Sequence, residues 1–263
     1  MKKRTMAAAA AALSLFEITA AATAAAQENA SNIWNGWFLG LNGGFRIGDT
    51  TFESNPYSAT MPPPVGGGLI TFPARSNNFD LEGGTVGAHI QHNWLQGSNF
   101  LVGLRAEVSD GTGDDTVFLT NNLTSISGDA FAVTIRSEVD YGWQASFRGR
   151  IGYLLGNWLL FATGGVSLLK VDWQDTVSVQ ILPGGPTVSF NHETDNVNIG
   201  PVVGGGVETA LNDLWFLSGE YLYQHFGDMT AGHGATSVGA PGQLRSVDTH
   251  QVIISVTRKI GGG

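Results

Sequence analysis

The chain has 263 residues, a net charge of −9, no cysteine and only 13% charged residues, about half the usual globular share. The acidic balance argues against nucleic-acid binding, which needs a basic footprint, and the missing thiols exclude disulfides, thiolate metal centres, cysteine nucleophiles and a lipidated N-terminal cysteine. An apolar content of 42%, with 37 glycines and 7 tryptophans, fits a β-rich chain that does not put all its surface in water.

The first residues carry Lys2, Lys3 and Arg4, then a small apolar run, then Ala24 and Ala26 at the small positions of an A-x-A signal. Residues 1–26 therefore read as a secretory signal peptide, and residues 27–263 as the mature domain. Its removal takes the net charge to roughly −11. The remainder has no run of ~18 apolar residues, so an exported chain of this kind enters a membrane only as a barrel.

Eight candidate strands follow, seven of them marked by period-two alternation. Residues 36–48 set Trp37, Leu39, Leu41 and Phe45 against Asn42 and Arg46. Residues 85–94 set Val86, Ala88, Ile90 and Trp94 against Thr85, His89, Gln91 and Asn93. Residues 99–109 set Phe100, Val102, Leu104, Ala106 and Val108 against Arg105, Glu107 and Ser109. In 139–155, Val139, Tyr141, Trp143, Phe147, Ile151 and Tyr153 oppose Asp140, Gln144, Ser146, Arg148 and Arg150. Residues 157–173 are apolar on both parities, and Gly164-Gly165 is a candidate bulge. Residues 196–210 set Val197, Ile199, Val203 and Val207 against Asn196, Asn198 and Glu208, with Pro201 calling for a bulge of its own. Residues 214–226 set Trp215, Leu217, Tyr221 and Tyr223 against Ser218, Glu220 and Gln224. Residues 249–260 set Val252, Ile254 and Val256 against Gln251, Ser255 and Thr257.

Short turns (95–98, 154–157, 211–213) interleave with long polar connections near 49–83, 110–137, 174–195 and 227–248. This predicts an all-β fold: an eight-stranded antiparallel up-and-down transmembrane β-barrel with short periplasmic turns and four long outer loops. Tryptophans fall at strand ends. Trp34, Trp37, Trp94, Trp158 and Trp215 lie by the short turns, Trp143 and Trp173 by the long connections. With Tyr153, Tyr221 and Tyr223, the expected interface girdle is Trp37, Trp94, Trp143, Tyr153, Trp158, Trp215, Tyr221 and Tyr223. The polar parity collects Arg46, Arg105, Arg148 and Arg150 with Glu107, Asp140, Glu208 and Glu220, nearly balanced in sign. An eight-stranded interior is just wide enough for its side chains, so these eight are expected to form a paired charge network that plugs the lumen.

The segments WNGWFLGLNGGF, GGTVGAHIQHNW, ASFRGRIGYLLGNWLLFATGGVSL and VGGGVETALNDLWFLSGEYLYQHFG resemble the small outer-membrane β-barrel proteins of alphaproteobacteria often called porin-like. The resemblance implies an eight-stranded barrel in the Gram-negative outer membrane. It implies a structural or surface-antigen role, with haem binding credited to some relatives. Outer-membrane lipid, lipopolysaccharide and the barrel-assembly machinery are the implied partners. The terminal segment departs from the family pattern, with Arg258 and Ile260 where Tyr and Phe are usual, then three glycines.

No catalytic, cofactor or metal motif accompanies this pattern. Ser189 with His192 and Asp228 with His225 are near neighbours outside any motif. His225 and His233 are the histidines placed to touch haem or metal, and residues 61–68 (MPPPVGGG) form a candidate exposed tip. The expected function is therefore a non-enzymatic integral outer-membrane protein with a salt-bridged interior. The alternatives are a surface receptor, for example for haem, and a small-solute porin.

Overall fold

The computed structural model describes residues 33–60, 69–125, 128–231 and 242–261. The expected signal peptide, residues 61–68, His233 and the last two glycines lie outside the described residues.

The described chain is almost entirely strand. Eight long strands form the wall: β1 (Gly36–Ser54), β4 (Arg75–Gln96), β5 (Phe100–Gly111), β7 (Ala130–Leu155), β8 (Trp158–Ile181), β9 (Thr187–Ala210), β10 (Trp215–Phe226) and β12 (Gly242–Gly261). Each pairs antiparallel with its neighbour in that order, and β12 pairs with β1 from Gly261 opposite Trp37 to Gly242 opposite Ser54. The sheet thus closes on itself and leaves no open edge through the wall. Tight connections sit at one end, and the β7–β8 turn relies on Gly156 at φ 62°, a conformation that side chains with a Cβ rarely adopt.

Outward residues form an apolar band, including Leu41, Val86, Val108, Phe147, Leu160, Ile199 and Ile254. Above it the outward face turns acidic: Asp49 stands between Asp80 and Asp248, and Asp140 between Asp114 and Asp172. That limit separates lipid-facing wall from the aqueous side.

The long connections are largely sheet themselves. β7, β8 and β9 run 26, 24 and 24 residues, more than twice the ~9–11 needed to cross a bilayer. Where β5 stops, β6 (Asp114–Thr124) takes its place beside β7, so a four-stranded sheet β6–β7–β8–β9 stands beyond the band. The hairpin β2 (Tyr57–Thr60) and β3 (Leu69–Phe72) packs on it, burying Ile70 and Phe72 among Phe131, Val133, Ile135, Val177 and Val179. A three-residue strand, β11 (Met229–Ala231), pairs with β12. These segments look like loops by composition because Ser, Thr, Asn and Asp fill the outer face. Their inner face alternates β-branched and aromatic residues, the pattern of a half-buried strand.

Two bulge expectations are corrected. Register runs unbroken through Gly164 and Gly165, with Leu159, Phe161, Ser167 and Leu169 facing in and Leu160, Val166 and Leu168 facing out. Pro201 stays in register opposite Val166, and the ladder to β10 stops at its neighbour Val202. A bulge lies instead in β7, between Tyr141 and Gln144, where Gly142 and Trp143 oppose the single Lys170. One extra residue reverses the facing of everything before it. Val139 and Tyr141 therefore point inward rather than sharing the outer face with Trp143.

Candidate functional site

The lumen is built in layers from residues on the inner parity. At the short-turn end Trp34, Phe38, Leu101, Leu154, Leu159, Phe161 and Phe216 form an apolar cluster, with Trp34 edge-on to Phe216 at 5.0 Å. Trp34 is thus a lumen residue, a correction to its expected place at the membrane interface.

The charged layer lies on this floor. Arg150 of β7 donates to Glu208 of β9 at 2.8 Å and to Gln91 of β4 at 2.9 Å, and its guanidinium stacks 4.2 Å from the Phe161 ring. Arg148 donates to Glu107 at 2.7 Å and to Glu220 at 2.9 Å. Arg105 lies directly opposite Arg148 on the adjacent strand, yet shares the same two carboxylates, at 3.1 Å from Glu107 and 3.6 Å from Glu220. Two like charges tolerate this spacing because each guanidinium contacts both carboxylates, which offset their repulsion. Glu220 comes from β10, on the far side of the ring from β5, so its ion pairs bridge the lumen. Arg105 also donates to His89 at 2.9 Å and Ser255 at 3.2 Å, and His89 meets Thr257 at 3.1 Å. All six of these charged side chains are essentially excluded from solvent.

Asp140 is not among them. The β7 bulge turns it outward and exposed, next to Asp114 and Asp172. Arg46 is buried at 1% exposure without a carboxylate. It donates to Gln144 at 3.1 Å and lies 4.6 Å from the Tyr141 ring. Above it a second apolar cluster, including Phe52, Phe79, Leu169, Val171, Trp173 and Phe226, fills the outer half of the barrel. Trp173 stacks on Phe52 at 4.7 Å, so it too belongs to the lumen and not to the interface.

A further polar link joins the projecting sheet. Arg75 donates to Ser137 at 2.9 Å, and Ser137 donates to Asp175 at 2.5 Å. Burial pushes the Asp175 carboxyl up, while Ser137 and Arg75 pull it back. Trp37, Trp94, Trp143, Tyr153, Trp158, Trp215 and Tyr221 all face outward, with Tyr223 partly covered beside them. Sequence reasoning missed Gln91, His89, Ser255 and Thr257 as network members although their parity announced them. It missed Tyr141 because only Gly142 hinted at a bulge.

The candidate catalytic pairs do not meet. Ser189 and His192 lie on opposite faces of β9, with Ser189 against Ser178 and His192 against Thr194. His225 meets Asp248 at 2.8 Å on the outer wall, while Asp228 binds Arg245 at 2.8 Å and accepts from the Ser246 N–H at 3.0 Å. Among the described residues no three His, Asp or Glu side chains are grouped to hold a metal.

The fold is similar to that of the outer membrane protein OprG from Pseudomonas aeruginosa, at 12% identity and a TM-score of 0.42 over 87% of this chain and 97% of that one. It is also similar to the outer membrane protease OmpT from Escherichia coli, at 10% identity and a TM-score of 0.41 over 86% and 97%. In sequence the chain is 26% identical over 197 residues to the 31 kDa outer-membrane immunogenic protein of Brucella melitensis biotype 1, spanning 74% of this chain and 72% of that protein. It is 25% identical over 193 residues to the 22 kDa outer membrane protein of Rhizobium leguminosarum bv. viciae, spanning 73% and 64%. The family model of the outer membrane protein beta-barrel domain matches residues 8–259, nearly the whole length. The closed ring of eight strands, its outward apolar band and this match together place the chain in the outer membrane beta-barrel family, as an outer-membrane protein.

Proposed function

We propose that this protein is a non-enzymatic structural barrel that seals its own lumen and displays the β6–β7–β8–β9 sheet at the cell surface. The observation that carries this reading is Glu220, which reaches across the lumen to Arg148 and Arg105 between two apolar layers. A continuous water path would have to break buried ion pairs, which is costly when one partner is left unpaired. The displayed sheet suits a surface role, in keeping with a relative named for its immunogenicity. Outer-membrane lipid and lipopolysaccharide would then surround the apolar band, and the barrel-assembly machinery would insert it. Reconstitution in planar bilayers tests the sealed lumen. The expected record is a flat baseline, and stable stepwise conductance overturns the reading.

A further inference from the structure

We propose that the lumen holds a small monovalent anion of the halide class at Arg46. Among the described residues five arginines and four carboxylates are buried. Arg105, Arg148 and Arg150 bind the three glutamates, and Arg75 reaches Asp175 through Ser137. Arg46 remains. The two aspartates nearest in charge, Asp110 and Asp140, lie on the outer face of the wall. A guanidinium buried without a counter-charge is strongly unfavourable, so the site as built calls for one.

The surroundings leave several donors without a partner, beside one orphan acceptor, Oε1 of Gln224 on β10. Arg46 spends Nη1 on Gln144, while its Nε and Nη2 have no protein partner. The hydroxyls of Tyr141 and Thr249 and the amide nitrogen of Asn42 are likewise buried and unpartnered. Asn42 lies four residues below Arg46 on the inner face of β1, and Thr249 stands opposite Gly48, two residues above Arg46, close to the Tyr141 hydroxyl. The Tyr141 hydroxyl lies where a Cβ at Gly48 would be, two residues above Arg46 on the same face. The absence of a side chain there leaves room for it beside the guanidinium that covers its ring. Orphan donors around one uncompensated cation suit an anion that accepts from several directions. The Phe52–Trp173 cluster lies above this layer, and Ile253, packed with Val202 and Leu222, stands opposite Gly44 two residues below Arg46, apolar surroundings that suit a small ion rather than a larger occupant.

A ligand that binds only the folded barrel raises its stability as its concentration rises. Barrel purified in detergent should therefore unfold at a higher midpoint in sodium chloride than in sodium gluconate of equal ionic strength, with saturation. Arg46→Gln should abolish that difference. Crystals grown in sodium bromide should show an anomalous peak in contact with Arg46 Nε or Nη2. Identical midpoints in chloride and gluconate, or bromide peaks confined to other places, overturn the proposal. Should Arg46→Gln fail to fold, diffraction from the unaltered protein decides alone.

Discussion

Arg148 touches two carboxylates from opposite walls, and neither it nor they reach water. Replacing it with Ala leaves Glu107 and Glu220 sharing only Arg105, and the expected loss is about 3–5 kcal/mol in urea unfolding of the refolded barrel. Surface binding should be unaffected, since the side chain is confined to the lumen. Arg148→Met combined with Glu220→Gln should lose less than the sum of the single changes, because each single change strands a charge that the pair does not. On the aqueous side, Asp228 offers a pH test. The Ser246 N–H and then Arg245 hold its carboxyl below the ordinary carboxylate range. A depressed folded pKa means the contact favours folding above the unfolded value of about 3.9 and is lost as pH falls through the lower folded value. An NMR titration of the Asp228 carboxyl should show a midpoint below the ordinary aspartate value; a midpoint at or above it would contradict the contact.

The β7 strand carries the most consequential local feature. Gly142 and Trp143 occupy the space opposite Lys170 alone, and this extra residue lets both Tyr141 and Arg148 face inward. Deleting Gly142 removes the extra residue, so Trp143 alone should oppose Lys170 and the ladder should run unbroken, with Val139, Tyr141 and the arginines all keeping their inward facing. The deletion should therefore keep the SDS-resistant form, seen as a heat-dependent shift in gel mobility; loss of that shift would show that the bulge itself is needed to close the ring. Seven of the eight strands announced their lipid face by alternation. The eighth, β8, did not, because its inner residues Leu159, Phe161, Leu169 and Val171 are as apolar as its outer ones. They line the apolar floor and cap of the lumen, which composition cannot distinguish from lipid contact.

At the level of the whole molecule the barrel has two parts with different solvents. The membrane-spanning ring has apolar outside and charge within. The projecting sheet has polar outside and an apolar inner face under the β2–β3 hairpin. Deleting residues 56–73 should expose that inner face while leaving the ring closed, since β2 and β3 form a separate sheet. The expected outcome is retained heat-modifiable mobility with increased binding of an apolar dye; loss of the mobility shift would show that the hairpin is needed for the ring itself.

The sequence by itself determined the eight crossings, the lipid-facing parity of most of them, the turn end and the inward parity of seven of the eight charged residues it singled out; Arg75 and Asp175, also buried, it left among the polar connections. Those follow from period-two alternation against a nonpolar solvent, which a single strand records. Only the tertiary structure decided that Asp140 leaves the interior, that Trp34 and Trp173 enter it, and that Arg46 is left without a carboxylate. It also decided that the long polar connections continue the sheet. The physical reason is the same in each case. Facing beyond a bulge, and burial against another strand's side chains, depend on cross-strand register, which is a property of pairs of strands and is written in neither strand alone.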